Sequence, residues 1–328
     1  MPTGVDPKPA TVDDSHAVRH GGRELLSLLL MDARNHLLQL LRIDPSSRQA
    51  LRGAASAGVF QEHWIGCHLQ RQRGEACDPQ TVRLAGIEPQ AAAWADENGA
   101  LPDLPSLHAY LADTLEVTLD LLAGSAESDA ALHVYRAALW HEDRLCESLA
   151  DALRLHAPPP RPLRPALAFG PQRWQLGSAA DGGYVPHAER WAHAVDVPGF
   201  EIDAQPVAWG AFVEFAEDGG YDRPELWTAR GRDWLQAEAR RAPRHVEQLA
   251  GGVLLQRSEA RGGGLQRVPG HQPATHLSRF EAEAWCHWAG RRLPTEPEWE
   301  LAACTFGRGF AWGDVPEWVM GRAQLWPG

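Results

Sequence analysis

Five prolines fall within ten residues at His156-Ala-Pro-Pro-Pro-Arg-Pro-Leu-Arg-Pro165, and no helix can run through that stretch. Each proline removes a backbone donor and its ring clashes with the preceding turn. The chain is therefore cut into two parts of different texture. Before the break, apolar residues recur at helical spacing. After it come glycine pairs (Gly182-Gly183, Gly219-Gly220, Gly251-Gly252), scattered tryptophans and short apolar runs.

In the first part, Leu25, Leu26, Leu29, Leu37, Leu40 and Leu41 mark one face of a helix. Further helices are expected from about Gln49 to Arg73, Ser106 to Ala123 and Asp129 to Leu155. Four long helices with one longer connection, Gly74 to Pro105, read as a four-helix bundle. The expected division is a loose arm over 1–21, a bundle over 22–156, a semi-rigid linker over 157–168 and an α+β domain over 169–328. Two helix starts in that last domain are legible as capping boxes, Ser278-Arg-Phe-Glu281 and Thr295-Glu-Pro-Glu298.

Composition removes several function classes. A formal charge of −12 leaves no basic stripe to replace counterions on nucleic-acid phosphates. No apolar run approaches the length of a membrane span. The Leu25–Met31 cluster follows a polar segment and lacks a cleavage site, so it does not read as a signal peptide. Five cysteines (Cys67, Cys77, Cys146, Cys286 and Cys304) without a paired spacing fit reduced thiols, and the expected compartment is the cytoplasm.

Several segments carry a resemblance. His287-Trp-Ala-Gly-Arg-Arg-Leu-Pro-Thr-Glu-Pro-Glu-Trp-Glu-Leu-Ala-Ala303 is similar to the signature of formylglycine-generating-enzyme-like domains, which have a C-type-lectin-like fold. Phe212 to Tyr221 with Trp227, Gly183 to His193, Gly313-Asp-Val-Pro-Glu-Trp318 and Leu325-Trp-Pro-Gly328 resemble further segments of that domain in ergothioneine-type synthases. Phe60-Gln-Glu-His-Trp-Ile with Leu69 to Gly74, and His141-Glu-Asp-Arg-Leu-Cys-Glu147, resemble the DinB-like bundle of the same enzymes. The chain thus resembles the ergothioneine/selenoneine synthase family over residues 24 to 328, with features closer to the selenoneine branch. Family domains continue beyond the aromatic-Pro-Gly segment, so a C-terminally truncated domain is expected.

The resemblance implies nonheme iron(II) and dioxygen joining sulfur or selenium to the imidazole carbon of hercynine, with a thiol or selenosugar as donor. Three histidines hold the iron in that family. Here His141 matches one ligand position, while Leu145 and Ser56 stand at the other two. His63 and His133 are the substitutes that a displaced site would use, each about 10 Å along its helix. Glu147 matches the glutamate that orients a ligand imidazole. Trp318 and Trp326 are the aromatic candidates for the trimethylammonium group of hercynine, and Trp326 falls where the family carries a tyrosine. A catalytically degenerate homologue that only binds is the alternative. Formylglycine-type oxidation by paired cysteines finds no suitable pair.

Overall fold

The computed structural model describes residues 15–67, 103–155, 158–180, 183–186, 189–250, 253–258 and 264–322. The chain forms two compact units. One comprises residues 1–153 with 179–189, the other 154–178 with 190–328.

The first unit is helical: α1 (Ser15–Arg19), α2 (Arg23–Ile43), α3 (Arg48–Gln61), α4 (Leu104–Ala123) and α5 (Asp129–Ala152). Their starts follow from local chemistry. Ser47, Asp103 and Ser128 each cap a helix by accepting a backbone N–H from the first turn, and Pro105 sits where its missing donor costs nothing. A π-helical turn, Glu62–Cys67, follows α3 directly. The expected second helix therefore changes its winding at Glu62, and its end beyond Cys67 lies outside the described residues, as does most of the 74–105 connection.

Leu26, Leu29, Leu30, Ile65, Leu122, Leu132, Tyr135 and Leu139 form the core of this unit. Ala50, Ala54, Ala55, Ala57 and Gly58 line the buried face of α3. These small residues allow a close approach: a Cβ on Gly58 would lie 2.5 Å from the Tyr110 ring. The segment after residue 178 joins this unit too. Tyr184 N–H donates to the Arg19 carbonyl (2.9 Å), and the Tyr184 ring meets those of His133 and Trp140.

Among the described residues, the second unit has three small antiparallel sheets: β1 (Leu167–Phe169) with β4 (Phe200–Ile202), β2 (Gln172–Leu176) with β3 (His193–Val197), and β5 (Val246–Ala250), β6 (Val253–Ser258) and β7 (Gly264–Arg267) in order. Its helices are α6 (Trp209–Glu217), α7 (Ala229–Glu238), α8 (Arg279–Trp288) and α9 (Glu296–Phe306). Both capping boxes read from the sequence are present, at the starts of α8 and α9. Trp209, Phe212, Phe215, Tyr221, Trp227, Leu254 and Trp285 pack into an aromatic core. Such rings bury much area for few rotatable bonds.

The proline stretch belongs to this unit, where the sequence suggested a linker between domains. Arg161 N–H donates to the His271 carbonyl (3.1 Å), its guanidinium holds Asp314 (2.9 Å), and Arg164 donates to the Arg308 carbonyl (2.8 Å).

Candidate functional site

The histidine-centred site in the helical unit is built by α3 and α5. His141, on α5, brings Nε2 to 3.1 Å from Ser56 Oγ on α3. Phe60, one turn along α3, stacks on the imidazole at 4.6 Å between ring centroids. Burial pushes the imidazole down from its usual range; a hydrogen bond to the Ser56 backbone opposes that and the Arg144 charge adds to it. The ring is neutral at pH 7. Leu145, four residues on, is partly buried, and Glu147 is exposed.

Directly beneath lies a charged network. Glu142, fully buried, receives Arg34 Nε at 2.6 Å and Nη2 at 3.1 Å. Gln61 Nε2 donates to the same carboxylate (3.0 Å), and Thr118 donates to Gln61 Oε1 (3.3 Å). The third Arg34 nitrogen, Nη1, donates to the Leu111 carbonyl. Tyr110 closes the far side by donating to Glu62 (2.8 Å). Every charged member of this network has a partner, the condition under which buried charges are tolerated. Asp143 is pushed up to about 6, by lost hydration first and then by Glu142, Glu147 and Asp32.

The network was missed in the sequence. A signal was there: Arg34 stands between Leu30 and Leu37 on the apolar face of α2, a place where a cation must find a buried partner. The remaining candidates do not converge on His141. His63 is edge-on to Trp64 (4.8 Å) and His133 faces Tyr184 (5.3 Å). Among the described residues, no three His, Cys, Asp or Glu side chains are grouped to hold a metal ion. With a hydroxyl at position 56 already on Nε2 and an alkyl chain at 145, the residues present do not fit a three-imidazole iron site.

In the second unit, Trp318 is half exposed and its Nε1 donates to the Leu277 carbonyl (3.0 Å). Trp326 lies outside the described residues. Beside Trp318, Glu317 is partly buried, and desolvation pushes its carboxyl up to about 7. Trp299 opposes the shift and the Asp314 charge adds to it. Neither Trp299 Nε1 nor Glu317 Oε1 completes a hydrogen bond. Because the folded pKa is raised, the unfolded chain releases its proton first as pH climbs from about 4.5 to 7, and stability falls over that window. Glu317→Gln is expected to stabilise the protein at pH 8 by about 2 kcal/mol and to change little at pH 4. Thermal melts at the two pH values check this.

Residues 173–328 match the sulfatase-modifying factor enzyme 1-like domain family. A protein named hercynine oxygenase from Mycolicibacterium smegmatis is 32% identical over 329 residues, which is 89% of this chain and 73% of the relative. The chain belongs to the hercynine oxygenase family. A second such relative, from Mycobacterium tuberculosis, is 35% identical over 82% of this chain and 66% of its own length. A formylglycine-generating enzyme from Streptomyces coelicolor is 30% identical, over 52% of this chain and 57% of its own length. Membership of the family agrees with the resemblance read from the sequence, including its formylglycine-generating-enzyme-like domain. No helix among the described residues is long and apolar enough to cross a membrane.

Proposed function

We propose that this chain is an oxidoreductase acting on hercynine or a close analogue, with its DinB-like helical unit and its formylglycine-generating-enzyme-like unit both taking part. The observation that carries the reading is the meeting of Ser56 and His141 at 3.1 Å. These are two positions, on different helices, that the family resemblance assigns to one site. A chain that shared only the fold of its second unit would have no reason to keep that convergence in the first.

In this reading the second substrates are dioxygen and a thiol or selenosugar donor, and the product carries a new C–S or C–Se bond, with the compartment cytoplasmic. Iron(II) would supply oxygen activation in such chemistry. The described residues offer one imidazole for it, so no step is assigned to the metal. The chain's own contributions are defined more closely. His141 presents a neutral imidazole stacked on Phe60, with Nε2 at the Ser56 hydroxyl. In this reading Glu147 would orient a neighbouring imidazole, and Trp318 and Trp326 are the aromatic candidates for a trimethylammonium group.

Calorimetric titration with hercynine, followed by oxygen uptake with added iron(II) and either donor, tests the proposal. The expected result is saturable hercynine binding and a C–S or C–Se product by mass spectrometry. Binding without oxygen uptake would leave the degenerate, binding-only homologue. Absence of hercynine binding in a folded chain would overturn the reading altogether.

A further inference from the structure

Phe60, Gln61 and Glu62 follow one another at the end of α3, and each engages a neighbouring helix. Phe60 stacks on the His141 ring of α5, with centroids 4.6 Å apart. Gln61 donates to Glu142 of α5 (3.0 Å) and accepts from Thr118 of α4 (3.3 Å). Glu62 accepts from Tyr110 of α4 (2.8 Å). The winding changes from α to π between Gln61 and Glu62, an irregularity that recurs at functional sites.

The rest of the buried face of α3 has little relief. Apart from Val59 it consists of Ala50, Ala54, Ala55, Ala57 and Gly58. Such short side chains leave shallow ridges, and apolar contact has no preferred direction, so this face alone constrains register weakly. Hydrogen bonds are directional. Gln61 is 1% exposed and Glu142 is fully buried, so their bond cannot be exchanged for one to water without opening the bundle. Arg34 of α2 holds the same carboxylate through Nε (2.6 Å) and Nη2 (3.1 Å). His141 is the residue before Glu142, and Ser56 and Phe60 share α3 with Gln61. A shift of α3 by one residue, about 1.5 Å along its axis, would break the Gln61 bond. It would also withdraw the Ser56 hydroxyl from Nε2 (3.1 Å) and the Phe60 ring from the imidazole.

We infer that Arg34, Glu142 and Gln61 are positioning residues for His141: their buried network sets the register of α3 on α5 that holds the imidazole against Ser56 and Phe60. This role rests on the proposal that His141 belongs to the functional site, and it names what keeps the ring in place there. Position and stability separate at such a network. Apolar chains can replace a buried ion pair at little cost in stability, yet they carry no directional contact.

Proton NMR of the full chain at pH 8, without hercynine, tests the role. The His141 ring signals are assigned by their absence in His141→Ala. In the parent the stacked Phe60 ring should displace them upfield, and Phe60→Leu should remove that displacement. Gln61→Met, similar in volume but without hydrogen-bonding groups, should lose at least half of it. The double variant Arg34→Met, Glu142→Leu should lose as much even where its urea midpoint stays near that of the parent, and it carries the test if Gln61→Met fails to fold. Leu132→Ala opens the core elsewhere in the same unit and should lower the urea midpoint with the displacement intact. A displacement retained in the network variants would overturn the role. So would equal loss in Leu132→Ala, which would mark general loosening, or a parent with no displacement due to Phe60. Since no hercynine is present, these outcomes are independent of whether the chain binds it.

Discussion

Glu142→Leu should lower the unfolding free energy of the helical unit by about 3–5 kcal/mol, the usual consequence of stranding a buried charge. Glu142 takes both carboxylate oxygens to Arg34 and accepts from Gln61 as well. Its loss leaves a guanidinium that is 2% exposed with only the Leu111 carbonyl to hold. Water cannot reach it without opening the contact of α2 with α5. The double variant Arg34→Met, Glu142→Leu removes both charges and should recover most of that loss, to within about 1–2 kcal/mol of the parent, because two apolar chains then fill the same space. Urea unfolding followed by helical circular dichroism measures both. A single variant costing under about 1 kcal/mol would mean that the pair is hydrated.

The second large effect concerns the metal. A chain carrying both Ser56→His and Leu145→His should bind iron(II) at least about a hundredfold more tightly than the parent, a gain of roughly 2.7 kcal/mol. The geometry behind this is specific. Ser56 Oγ already touches His141 Nε2, so a side chain at position 56 projects to the place where a shared ligand would sit. Position 145 follows His141 by one turn of α5, on the same face. Neutral imidazoles are the form that binds metal, and His141 is held neutral by burial. Anaerobic titration against a competing chelator reads the affinity, and adding His141→Ala to the double variant should abolish the gain. No gain would show that positions 56, 141 and 145 do not share a site.

Much of the helical unit was legible because its signals are local. Of the residues read as one apolar face, Leu26, Leu29, Leu37, Leu40 and Leu41 are buried, and Leu25 is partly buried at its edge. Ser278 and Thr295 announced helix starts three residues ahead of Glu281 and Glu298, and both reciprocal caps are formed. The pairing of Ser56 with His141 was also readable, though only through resemblance to a family, since no periodicity links residues 85 apart in sequence. The π turn at Glu62–Cys67 was not readable, because apolar spacing does not distinguish it from one more turn of α-helix.

The sequence alone determined the break at 156–165, the helical character of the residues before it and the aromatic, glycine-rich character of the residues after it. It also determined the identity of the side chains at the candidate positions. Only the tertiary structure decided which groups meet. It placed the proline stretch on the second unit through Arg161 and Arg164. It left His63 and His133 with aromatic neighbours of their own, and it joined Arg34 on α2 to Glu142 on α5. The physical reason is one of range. Helix periodicity, capping and proline geometry act within a few residues. Charge pairing, desolvation and ring contacts depend on where distant segments are brought by the burial of the two cores.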